Sequence, residues 1–173
     1  KRNPVEELLS PPKKIIIYSV VTSLLGVIII FFLIILSNFY QYDIAGESME
    51  PSLHGGEKVL VSKNDKNYKK SDIIIFNCEY FGNITMIKRI TAVQGDTITL
   101  SNDKLIINGV KTHYSPIENG INYPYTVPQN TIFVLGDNYN NSQDSRLFGG
   151  INKKDIIGLV KYRYYPITKI GEL

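Results

Sequence analysis

A hydroxyl, an amine and a run of polar side chains carry the reactive chemistry of this sequence. Ser48 lies in GESMEPSL (Gly46 to Leu53), between Gly46 and Pro51. Those two residues set an irregular backbone where a strand would otherwise run on, and such a turn exposes a hydroxyl. Serines in loops of this kind are commonly solvated turn formers, and on this segment alone that reading stands beside a nucleophilic one. Lys88 sits in TMIKRITAV (Thr85 to Val93), whose alternation puts Met86, Lys88, Ile90 and Ala92 on one face of a strand. One reading is an edge-strand lysine that reaches to water. The other is a buried amine, because desolvation disfavours the ammonium and lowers its pKa from about 10.4 toward a range in which the neutral form takes a proton. A neutral Lys88 beside Ser48 would stand where familiar triads have histidine.

The run GDNYNNSQDSRLFG (Gly136 to Gly149) follows the apolar segment TIFVL, so its polar groups gather at a strand end, where loops hold site residues. Ser142, Asp144 and Arg146 alternate, and in extended backbone all three point the same way. The expected arrangement has Ser142 hydrogen-bonded to the Lys88 amine while Asp144 pairs with Arg146 and fixes the loop. Asp137 and Asn138 organise the turn. Arg89 falls on the opposite face of its strand and reads as a structural ion-pair or surface residue.

These groups need elements to position them. Ile15 to Leu36 reads IIIYSVVTSLLGVIIIFFLIIL without a charge. At about 1.5 Å per residue it is long enough to span a hydrocarbon core of about 30 Å. A removable secretory signal would have a shorter apolar region ending in small residues, whereas SNFYQYD follows here and its aromatics suit a membrane interface. Lys1, Arg2, Lys13 and Lys14 precede the segment, so the expected topology is single-pass with residues 1–14 cytoplasmic and the remainder outside. The twelve residues from Ser37 to Ser48 reach at most about 40 Å, which keeps Ser48 near the bilayer.

Beyond the anchor, with 37–43 read as a juxtamembrane linker, the pattern of residues 44–173 is β. Short β-rich runs occur at Val59 to Ser62, Ile73 to Asn77, Thr85 to Val93, Thr97 to Leu100, Lys104 to Ile107, Thr131 to Leu135 and Ile156 to Tyr165. Asn102 and Asp103 mark a tight hairpin turn within Thr97 to Val110. The fold expected is mainly β: a single transmembrane helix followed by an antiparallel β domain, a folded-over sheet or partial barrel. The Pro-, Asn- and Tyr-rich stretch 104–130 reads as a cap or insertion.

Composition narrows the function classes. Lys and Arg (19) nearly balance Asp and Glu (16) and are scattered, so no phosphate-tracking surface for nucleic acid is evident. Cys78 is the single cysteine, which excludes an internal disulfide, and His54 and His113 belong to no ligand-spaced motif, so neither a metal nor another cofactor is expected.

Taken in order, the anchor, GESMEPSL, SDIIIF (Ser71 to Phe76), KRITAVQGD (Lys88 to Asp96) and GDNYNNSQDSR resemble bacterial type I signal peptidases over nearly the whole chain, in their Gram-positive-like single-anchor form. The resemblance implies a membrane serine endopeptidase with an all-β catalytic domain. Ser48 would be its nucleophile and Lys88 its general base, supported by Ser142, Asp144 and Arg146. It implies exported preproteins as substrates, with small residues at the first and third positions before the cut. Tyr42, Ile44, Gly46, Met49, Leu53, Met86 and Ile87 would line the binding cleft. At Gly46 some members carry a serine that helps stabilise the oxyanion, which leaves the Ser48 N–H as main donor here. Expected partners are membrane lipid and either the secretion translocon or pilin assembly machinery. The alternative is a specialised or non-catalytic factor of the same fold that assists assembly of surface structures such as pili. A self-cleaving repressor would share the Ser/Lys pair but would want a DNA-binding domain where this chain has its anchor.

Overall fold

The structure, a computed structural model, describes residues 13–173, and Lys1 and Arg2, on which the expected topology partly rests, lie outside them. Helix α1 (Lys13–Ser37) covers the apolar segment, and its Lys14–Ser37 stretch is long and apolar enough to cross a membrane. It forms one unit, and Phe39–Leu173 forms a second.

In the second unit the β-rich runs become strands. β1 (Phe39–Asp43), β2 (Lys58–Ser62), β3 (Ile73–Cys78), β4 (Ile84–Val93), β9 (Thr131–Leu135), β10 (Ile151–Asn152) and β11 (Ile156–Tyr165) make an antiparallel sheet in the order β1-β2-β11-β3-β4-β9-β10. β12 (Gly171–Glu172) pairs with β11. β5 (Thr97–Ser101), β6 (Lys104–Ile107), β7 (Val110–Lys111) and β8 (Tyr125–Thr126) make a smaller sheet in the order β7-β6-β5-β8. Asn102 and Asp103 both take positive φ, 50° and 56°, the geometry that a two-residue hairpin turn demands. The linker expected at 37–43 is instead largely β1, paired along its full length with β2. The cap expected at 104–130 belongs to a sheet that begins earlier, at Thr97.

β3 is central, and its sequence IIIFNC is apolar on both faces because both are covered. Ile73 and Ile75 pack with Ile44, Met49, Leu53 and Val59 on one side. Ile74 and Phe76 pack with Ile90, Ile132 and Val134 on the other. Each such side chain contributes about 1.5–3 kcal/mol on burial. A register shift in β4 between Ile90 and Ala92 breaks the expected single face: Ala92 joins Ile98, Leu105 and Leu135 in a third cluster, which ties the small sheet to the large one.

Candidate active site

Ser48 is presented by a loop that its own neighbours nail down. The Ile44 N–H donates to Glu57 O at 2.8 Å and the Gly56 N–H to Ile44 O at 2.9 Å, so the two ends of the loop close on each other. Met49, 1% exposed, and Leu53, fully buried, drop into the cluster beneath. With the next residue anchored in the core, the Ser48 hydroxyl is left at the surface of a cleft of about 510 Å³. Gly46 makes the approach to this turn with φ +82°, a left-handed backbone that costs other residues about 1–2 kcal/mol. A serine there has open space for its side chain but must bear that strain.

Lys88 comes to Ser48 from β4, 40 residues further along the chain, with Nζ donating to Ser48 Oγ at 2.7 Å and to Ile87 O at 2.9 Å. The lysine is only 3% exposed. Burial therefore brings its pKa down to about 8, against a weaker upward pull from Asp144 and from the Cys78 and Asp137 side chains. The amine is poised between base and acid near neutral pH, which is what proton transfer to and from a serine hydroxyl requires.

The loop after β9 approaches Ser48 from the other side. The Asn138 N–H donates to Ser48 O at 3.0 Å and Asn138 Nδ2 to Glu47 O at 3.1 Å. Gly136 is needed for room: a Cβ there would fall 2.5 Å from Ser48 O and collide with the Ser142 side chain. Arg89 grips Asp137 through two bonds, Nε to Oδ1 at 2.8 Å and Nη2 to Oδ2 at 2.7 Å. The residue after Lys88 thus holds the loop that holds Ser48, the structural ion-pair role expected for it.

Asp144 and Arg146 pair as expected, but not in a strand. Asp144 caps α2 (Ser145–Phe148), accepting from the Arg146 N–H, so the alternation read from sequence gives way to a helical turn. Arg146 Nε and Nη2 donate to the two Asp144 oxygens at 2.8 and 2.9 Å, and its remaining donors reach Ser115 O, Tyr139 O and Ser142 O. Both side chains are buried, 0% and 1% exposed, so the pair is a rigid brace between the site loop and the segment around Ser115. Ser142 behaves differently from expectation. Among the described residues its buried Oγ has no hydrogen-bond partner; it packs against Gly136, and the expected bond to Lys88 is not formed.

Of the expected cleft residues, Tyr42, Gly46, Met86 and Ile87 line it. Ile44, Met49 and Leu53 lie below it in the core, because the turn at Ser48 directs them inward. The lining also includes Ala45 and Thr85, and on its polar part Glu47, Asn141 and Gln143, none of which sequence reasoning singled out. Position next to Ser48, or inside the GDNYNNSQDSR run, was the available signal.

The cleft has an open strand edge. The Ile90 N–H donates to Asp72 O and its carbonyl accepts from the Ser71 N–H, so the even-numbered residues of β4 face β3. Thr85 and Ile87 consequently turn their backbone groups the other way, where β9 joins only from Arg89 onward.

The cleft thus brings together a serine in a tightly closed loop, a buried lysine bonded to it and an open strand edge. The chain belongs to the family described as signal peptidase, peptidase S26, whose profile matches residues 17–165. It is 36% identical to signal peptidase I P of Bacillus subtilis subsp. natto over 149 aligned residues, covering 76% of this chain and 80% of that one. Against signal peptidase I S of Bacillus subtilis strain 168 it is 34% identical over 150 residues, with 76% and 80% covered. A crystal structure of a signal peptidase I from Enterococcus faecalis V583 is similar at 29% identity and a TM-score of 0.43, covering 54% of this chain and 96% of that one.

Proposed function

We propose that this protein is a membrane-anchored serine endopeptidase that removes N-terminal signal peptides from exported preproteins, with Ser48 as nucleophile and Lys88 as general base. The observation that carries this reading is the 2.7 Å contact between Lys88 Nζ and Ser48 Oγ inside a cleft, with the lysine buried. The preprotein segment before the cut adds to the open edge of β4, bonding to the Thr85 backbone and the Ile87 N–H, while Ile87 O accepts from Lys88 Nζ. Neutral Lys88 accepts the hydroxyl proton as Ser48 Oγ bonds to the scissile carbonyl carbon, and the oxyanion forms beside the Ser48 N–H, which has no partner among the described residues. The lysine returns its proton to the leaving nitrogen as the C–N bond breaks, leaving an acyl-enzyme. It then takes a proton from the attacking water, and the acid product departs as Ser48 regains its hydrogen.

The apolar helix Lys14–Ser37 would hold the chain in the bacterial cell membrane, single-pass, with the N-terminus cytoplasmic and the β domain outside. Enzyme and threaded substrate then share one surface, which raises their effective concentration. The test is cleavage of a detergent-solubilised preprotein carrying alanine at the first and third positions before the cut, by wild type, Ser48→Ala and Lys88→Ala. Cleavage at the expected bond by wild type alone is the expected result. No cleavage by folded wild type would overturn the proposal, and an active Lys88→Ala would remove the lysine from the mechanism.

A further inference from the structure

The cleft is chemically uneven, and its charge is concentrated at one residue. Tyr42, Ala45, Met86 and Ile87 supply apolar lining, while Glu47, Asn141 and Gln143 supply polar lining. Glu47 is the acidic residue in that lining, and it directly precedes Ser48. Its backbone is fixed by Asn138, and its Oε2 accepts from Asn141 Nδ2 at 3.3 Å, so the carboxylate is held at the cleft rather than free to sweep through solvent. The other ionisable group on the cleft wall besides tyrosine is Lys88, which must be neutral to act as base. In its active state the cleft therefore presents a net negative charge.

The position of that charge along the substrate follows from β4. Its open edge runs through Thr85 and Ile87 and closes at Arg89, where β9 begins to pair. Asn141 and Gln143 belong to the loop that leaves β9, so the polar lining gathers at the closing end. Small apolar residues before the cut fit the edge beside Met86 and Ile87, which leaves the polar end for residues after it.

We propose that Glu47 is a specificity residue that draws basic side chains in the first positions after the scissile bond into the polar end of the cleft. This rests on the peptidase reading and extends it to the mature side of the substrate. An exposed ion pair of this kind favours a lysine over a neutral residue about two- to fivefold, and disfavours a glutamate by a similar factor. The preference weakens as added salt shortens the screening length to about 3 Å at 1 M.

The experiment uses the full chain in detergent and three preproteins that are identical before the cut, with alanine at both small-residue positions. They carry glutamine, lysine or glutamate at the first two positions after it. Wild type, Glu47→Gln and Glu47→Lys are compared by kcat/KM at low and high salt. Wild type should cleave in the order lysine, glutamine, glutamate; Glu47→Gln should flatten the series, Glu47→Lys should reverse it, and salt should compress all differences. An order that is the same in all three proteins, or no order in wild type, overturns this inference while leaving the peptidase reading intact. Failure of wild type to cleave even the glutamine substrate overturns the peptidase reading and this inference with it.

Discussion

Replacing Lys88 by methionine separates two consequences of burying an amine, one on catalysis and one on stability, with opposite signs. In the unfolded chain the amine keeps its proton up to about 10.4, whereas in the folded protein burial brings the value down to about 8. Between these values the native state binds fewer protons than the unfolded one, so stability rises with pH across that window. Each pH unit between the two values is worth about 1.4 kcal/mol, so folding around the lysine costs about 3 kcal/mol at pH 7 and about 1 kcal/mol at pH 10. Methionine, apolar and of similar length, does not incur this cost. It forfeits the bonds to Ser48 Oγ and Ile87 O, about 1 kcal/mol each, a loss that varies little with pH. The informative quantity is therefore the pH dependence of the stability difference between the two proteins. Urea unfolding of the full chain in detergent micelles, followed by far-ultraviolet circular dichroism at pH 7, 8.5 and 10, should show Lys88→Met losing about 2–3 kcal/mol of relative stability over that range. Preprotein cleavage by the variant should be lower by about 10² to 10⁴, the worth of a positioned base. A stability difference that stays constant with pH would mean that the lysine titrates at its ordinary value, and the argument for a neutral base would fail.

Other perturbations test the supporting geometry. For wild type, kcat/KM should fall tenfold per pH unit below about 8, reaching about one hundredth of its plateau at pH 6; a flat profile would remove Lys88 from the proton-transfer step. Gly136→Ala should push the β9 loop off the Ser48 carbonyl, costing about 1–3 kcal/mol of stability and at least about tenfold in kcat, read from thermal melts and cleavage kinetics. Asp144→Ala should destabilise by about 3–5 kcal/mol by leaving Arg146 buried without its partner, and the double variant with Arg146→Met should recover part of that loss. Gly46→Ser should lower stability by about 1–2 kcal/mol because of its left-handed backbone, while raising kcat if its hydroxyl reaches the oxyanion. A folded Gly46→Ser protein with unchanged kcat would argue against a missing oxyanion donor.

Much of the scaffold was legible in the order of residues. Strand positions follow from short runs of β-branched and aromatic residues bounded by Gly, Asn, Asp and Pro, and Lys104–Ile107, Thr131–Leu135 and Ile156–Tyr165 fall where those runs put them. The Asn102-Asp103 turn was legible because few residue pairs accept positive φ twice in succession. Two-residue strands such as β8 and β10 were not, since two residues carry no period and only pairing with β5 and β9 makes them strands. Spacing points to the Asp144–Arg146 pair but not to its backbone: two residues apart, the side chains meet either in an extended chain or, as here, across a helix cap.

Which groups have chemistry to offer follows from residue types and their near neighbours: a serine held in a Gly/Pro turn, a lysine among apolar strand residues and a polar run after a buried strand. Those are local facts, set by side-chain type and backbone preference over a few residues. Tertiary structure alone decided that Ser48 and Lys88 touch, because their meeting depends on the register of β3, β4 and β9 and on Met49 and Leu53 locking the loop from below. It also decided that the lysine is desolvated, that Ser142 packs on Gly136 instead of bonding the amine, and that Glu47 stands at the cleft. Periodicity tells which residues share a face, but whether that face meets water, a neighbouring sheet or a nucleophile is settled by contacts between segments far apart in the chain.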